Sequence, residues 1–110
     1  MALASVDSRA SVGLQSPAVR IEVHLSAGLP GLAMVGMPEA GVRESKDRVR
    51  SAIINSGFTF PQQRITINLA PAELPKEGAR FDLAIALGIL AASQQLPESA
   101  LDQLCCIGEL

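Results

Sequence analysis

Few side chains in this 110-residue sequence have the types and spacing that chemistry requires. His24 is the single histidine, and its period-two neighbours Glu22 and Ser26 place it on the water-facing side of a strand, away from any nucleophile. No Gly-x-Ser-x-Gly provides the nucleophile elbow of a Ser-His-Asp triad. Gly31/Gly36 and Gly36/Gly41 repeat the glycine spacing of a phosphate-binding loop. Met37-Pro38 and Val42-Arg43 stand where that loop needs Lys and then Ser or Thr, and a proline deletes one amide donor. The chain by itself is therefore expected to bind no nucleotide. Glu73, Glu77 and Asp82 are close in sequence but read as solvated loop acids, and no cluster has metal-ligand spacing. Cys105 and Cys106 are adjacent, with no spacing for a disulfide frame or a zinc site, and are expected to be reduced, partly buried strand residues. Catalytic, metal and cofactor residues are all expected to be absent from this chain.

Two charged features remain. Arg43, Lys46 and Arg50 recur at helical spacing and project from one side, with Arg48 elsewhere. Over residues 39–56 these four cations face three acids, and the i,i+4 pairs Glu39/Arg43 and Glu44/Arg48 are placed to neutralise much of the field. The row reads either as a salt-bridged solvent face or as a surface for a neighbouring subunit or DNA. The second feature is the loop of residues 69–78, stiffened by Pro71 and Pro75 and ending at Gly78. It brings Lys76 and Arg80 as further candidate contact residues, in a structural or interface role.

The elements that must carry these residues form one small domain, which removes roughly 65% of its unfolded surface from water. Hydrophobic residues make up 48% of the chain and charged ones 18%, which excludes a disordered chain. The formal net charge of -2 excludes a globally basic nucleic-acid binder, though not a local patch. With no Trp, no Tyr and three Phe, an aromatic platform for stacking bases is not expected. The apolar run of residues 83–92 falls short of the about 20 residues that span a bilayer, and the N-terminus lacks the features of a signal peptide. The expected location is cytoplasmic, without a membrane partner.

Residues 3–8 and 10–14 read as two short β pieces, with Gly13 as a bulge. Residues 18–26 alternate cleanly, with Val19, Ile21, Val23 and Leu25 inward. After the turn Gly28-Leu29-Pro30-Gly31, residues 32–35 are expected to return beside that strand as a hairpin. A helix is expected to open with Pro38 at its first position, to carry Val42, Ser45, Val49, Ala52, Ile53 and Ser56 on one stripe, and to end at Gly57. Ile65, Ile67 and Leu69 mark another strand. Residues 82–93 form a helix apolar all round, residues from 96 a short helix, and residues 105–110 a strand that stops as if truncated. The order predicts an α+β or α/β two-layer sandwich with helices on one side of the sheet.

Longer blocks carry a resemblance. Val19-Arg20-Ile21-Glu22-Val23-His24-Leu25, Gly28-Leu29-Pro30-Gly31, Val35-Gly36-Met37-Pro38-Glu39 and residues 47–57 are similar to the magnesium-chelatase-like AAA+ ATPase family of the ComM and YifB type. Ile65-Thr66-Ile67-Asn68-Leu69-Ala70-Pro71-Ala72, Leu74-Pro75-Lys76-Glu77-Gly78 and Phe81-Asp82-Leu83-Ala84-Ile85-Ala86 complete the likeness. The resemblance implies that residues 1–110 are one N-terminal, ChlI-like domain, a fragment whose AAA+ module with its Walker motifs follows Leu110. It implies the ribosomal protein S5 domain 2-like fold shared with the proteolytic domain of Lon, an α+β sandwich with helices on one face of a mixed sheet. For the intact protein it implies ATP and Mg2+, a hexamer built with neighbouring subunits, and DNA branch migration during natural transformation. Lon-type proteases carry Pro-Lys-Asp-Gly-Pro-Ser-Ala-Gly, and aligning Pro75-Lys76-Glu77-Gly78 with it puts Arg80 where the serine belongs. Arginine stays protonated and cannot act as a hydroxyl nucleophile. The resemblance thus favours a non-catalytic domain, with a chelatase motor subunit or a degenerate Lon-like Ser/Lys peptidase as alternatives.

Overall fold

A computed structural model describes residues 2–110. Strand β1 (Ala2–Arg9) pairs antiparallel with β2 (Ala18–Ser26) in unbroken register from Ala2 opposite Leu25 to Arg9 opposite Ala18. The segment between them closes as a tight turn: Val12 and Gln15 exchange backbone hydrogen bonds at 3.0 and 2.9 Å, and Gly13 sits at φ +59°. Residues 10–14 are therefore the tip of a hairpin, not a second strand, and Gly13 supplies a turn conformation in place of the expected bulge.

Strand β3 (Gly31–Val35) does not return beside β2. Both sides of β2 are taken, by β1 and by β4 (Arg64–Ala70), and β3 pairs in parallel with the outer side of β4. The sheet is mixed, in the order β1-β2-β4-β3. Alternating apolar residues specify which face of a strand is buried but not which strand lies next to it. The alternating strand β4, with seven residues antiparallel to β2, takes the place a hairpin would have given to β3.

Between β3 and β4 the chain crosses over through α1 (Ala40–Arg43) and α2 (Ser45–Asn55), which meet at Glu44. The helical stretch begins at Ala40 instead of Pro38, because Pro38 bridges Lys76 and the Glu39 N–H donates to the Lys76 carbonyl at 3.0 Å. Val42, Ser45, Val49 and Ile53 are buried as their spacing requires, Ala52 is half-buried, Ser56 is exposed because α2 has ended before it, and Gly57 follows at φ +86°.

Helix α3 (Asp82–Ala92) covers β1 and β2 and touches α2, which explains a helix apolar on every side. Gly88 allows the close approach: a Cβ there would lie 2.6 Å from Val23 Cγ2. Helices and apolar side chains share one face of the sheet, while Glu22, His24, Thr66 and Asn68 line a shallow hollow on the other. The architecture is α+β, a mixed four-stranded sheet under one layer of helices.

After the short 3-10 helix Glu98–Leu101, residues 105–110 make a single bridge, Cys105 to Asp7, and no strand. Cys106 N–H donates to Asp7 O at 2.8 Å, then the chain turns along α3, with Gly108 bonded to Arg80 and Leu83. Pairing with β1 stops because the chain leaves the sheet edge to follow that helix. The Cα radius of gyration, 12.9 Å, matches the about 13 Å that a chain of this length occupies when packed as one unit.

Candidate functional site

The proline-rich loop is stitched to the entry of α1 by a buried lysine. The Lys76 side chain has no solvent exposure, and its ammonium donates to Gly36 O at 2.6 Å and to Pro71 O. The backbone closes the same seam through Pro38 and Lys76, and Glu39 Oε1 accepts the Gly78 N–H at 2.9 Å. Burial pushes the Lys76 ammonium below its ordinary pKa, and Glu73 partly opposes this. Gly36 is required here, since at φ +113° an added Cβ would lie 2.1 Å from Leu69 O. Lys76 is thus a strut and presents no charge to a partner, unlike the surface cation its loop position suggests. Arg80 is half-buried, and its carbonyl is committed to Gly108.

Asp82, expected to be a solvated loop acid, is fully buried at the start of α3. Arg48 grips it with two hydrogen bonds, Nε to Oδ2 at 2.7 Å and Nη2 to Oδ1 at 3.1 Å, and also donates to Gly41 O at 2.9 Å. The Leu110 N–H adds a contact to Asp82 Oδ2 at 3.2 Å. The hydrogen bonds that Arg48 donates to Asp82 hold its pKa above its already high ordinary value, against some desolvation. This bidentate pair replaces the expected Glu44/Arg48 contact, just as Gly78 replaces Arg43 as the partner of Glu39. One signal in the sequence pointed to it: Asp82 opens a helix with no polar face on which an acid could rest.

With Arg48 and Glu39 engaged elsewhere, Arg43, Lys46 and Arg50 are left exposed, and among the described residues none of the three forms an ion pair. They lie along the helix side of edge strand β3. Arg43 and Lys46 line a groove with Leu32 and Met34, and Lys46 and Arg50 line its continuation with Pro30, Leu32, Phe60 and one acid, Asp47. The Arg50 guanidinium carbon lies 5.8 Å from the centre of the Phe60 ring, a cation–π contact at the outer limit of range. Sequence spacing brought the three cations together. It did not place them beside an open sheet edge, because β3 was expected to pair with β2.

Residues 21–110, from β2 onwards, match the family described as subunit ChlI of Mg-chelatase. The chain belongs to this ChlI family. Over its whole length it is 62% identical to the competence protein ComM of Haemophilus influenzae, 58% to YifB of Escherichia coli and 44% to the protein Rv2897c of Mycobacterium tuberculosis. It spans 22% of the length of each of these relatives.

In this ChlI-family chain the remaining candidates stay apart from the cation row. His24 is half-buried on the open face of the sheet. Cys105 is exposed and Cys106 buried, both as free thiols; burial raises the Cys106 pKa first, with Cys105 and Asp7 adding to it. Among the described residues no group of three His, Cys, Asp or Glu could hold a metal ion. No helix among them is long and apolar enough to cross a membrane.

Proposed function

We propose that this chain is a non-catalytic N-terminal domain of a ComM-like AAA+ ATPase, of the S5 domain 2-like fold, and that it helps assemble the ring or guide DNA. On this reading ATP and Mg2+ act in a module outside these residues, the intact protein is a cytoplasmic hexamer, and its work is branch migration of DNA during transformation. The observation that carries it is the 62% identity with a competence protein over every residue of the chain. The contact surface is Arg43, Lys46 and Arg50, exposed on one side of the crossover helices. Arg80 borders the Lys76 loop as an auxiliary cation, and Lys76 contributes by keeping that loop rigid.

The test is the triple charge reversal Arg43→Glu, Lys46→Glu and Arg50→Glu in the full-length protein. DNA binding, read by mobility shift over a salt series, and assembly, read by sedimentation, should weaken while ATP hydrolysis without DNA persists. If all three cations meet phosphates, the salt slope should fall by roughly 2–3. Wild-type binding and wild-type assembly together would remove this surface from the account. The family description favours one alternative, a chelatase motor subunit. Metal insertion into a tetrapyrrole in the presence of partner subunits would establish it.

A further inference from the structure

Strand β3 leaves a sheet edge open. It lies outermost in the order β1-β2-β4-β3, and its five residues, Gly31–Val35, include no charge and no proline. Soluble proteins normally block such an edge with a charge, a proline or a bulge, or cover it. The free backbone groups can be assigned. Gly31 faces Arg64 in the parallel ladder and donates to Gln63 O at 3.4 Å, so Gly31, Ala33 and Val35 bond to β4. The amides and carbonyls of Leu32 and Met34 then point away from the sheet. On the helix side this edge is bordered by Arg43, Lys46 and Arg50, against a single acid, Asp47; on the other side Val35 is 54% exposed.

We infer that β3 accepts an extended segment of a partner protein as a fifth strand, one that alternates acidic and apolar residues. This rests on the proposed contact role of the cation row and specifies what that row meets. Backbone pairing with Leu32 and Met34 supplies affinity, and alternate side chains supply specificity. Carboxylates on the helix side come beside the three free cations. Apolar residues on the opposite side cover Ala33 and Val35. A second copy of the chain is a poor occupant, because joining two β3 edges would set two cation rows against each other. Single-stranded nucleic acid could neutralise the cations but has no N–H and C=O ladder to match the edge, and the groove offers one aromatic ring, Phe60, for stacking.

The test uses a labelled heptapeptide of alternating Glu and Val, followed by fluorescence anisotropy, with a Lys/Val heptapeptide and an oligothymidine as competing probes. The chain should bind the Glu/Val peptide in preference to the Lys/Val one. Met34→Pro deletes an outward amide while leaving the bonds to β4 in place, a position where an edge strand tolerates proline. It should weaken the peptide about tenfold, the effect of one lost backbone hydrogen bond, and leave oligothymidine binding unchanged. Hydrogen exchange on the wild-type chain reads the same contact without a variant: the Leu32 and Met34 amides should gain protection from the Glu/Val peptide. The inference is overturned if no peptide binds, if those amides stay unprotected, or if oligothymidine alone protects them. Because Met34 carries no charge, its variant separates strand addition from the cation row. Failure of the charge-reversal test in the full-length protein would instead strike the broader reading.

Discussion

Replacing Lys76 by methionine tests whether the seam between the proline-rich loop and the entry of α1 is held by that ammonium. Methionine keeps most of the apolar stem and so limits cavity formation, but it leaves Gly36 O and Pro71 O without their donor. The carbonyl of buried Gly36 left unmatched costs about 1–3 kcal/mol, and that of exposed Pro71 less, since water can reach it. Against this, the variant no longer buries a charge, a cost visible in the lowered pKa of Lys76. The balance is a loss of about 1–3 kcal/mol, or roughly 5–15 °C in Tm for a domain of this size. The pH dependence carries a sign. Since the folded pKa lies below the ordinary 10.5, the unfolded chain binds more protons between the two values, and wild-type stability contributed by this group rises with pH across that window. The methionine variant lacks this contribution while sharing every other titration. The Tm gap, followed by circular dichroism from pH 7 towards about 10.5, should therefore widen. A variant as stable as wild type, or a gap that narrows as pH rises, would refute the strut.

Three further outcomes are expected. Asp82→Asn leaves Arg48 facing an uncharged partner next to a buried helix start and should cost about 2–4 kcal/mol, read as a lower urea midpoint with an unchanged slope. Gly88→Ala pushes a methyl group into Val23 and should destabilise by about 1–3 kcal/mol, although alanine is the better helix former; a stabilised variant would mean that α3 does not pack this closely on β2. Iodoacetamide should label exposed Cys105 at once and buried Cys106 only in urea, as peptide mapping would show, because burial both shields the second thiol and raises its pKa.

Much of this protein can be read from residue order. Period-two alternation marks β2 and β4 and their buried faces, helical spacing marks the inward stripe of α2, and the absence of a polar side on residues 82–92 predicts burial of α3. Those are local properties: a side chain's direction follows from its place in a helix or strand, and water decides which direction is apolar. The spacing of Arg43, Lys46 and Arg50 is local in the same sense, so the cation row could be seen before any fold.

The tertiary structure decided who stands beside whom. Two charged residues that looked solvated, Lys76 and Asp82, are in the interior because partners 40 and 34 residues away satisfy them, Gly36 for one and Arg48 for the other. β3 lies at the sheet edge because β4 had the longer antiparallel match to β2, a competition between segments far apart in the chain. Burial preference is written along one dimension, whereas pairing is settled by which distant segments fill the same space with their hydrogen bonds made. The open edge next to three unpaired cations therefore came into view only once the chain had folded.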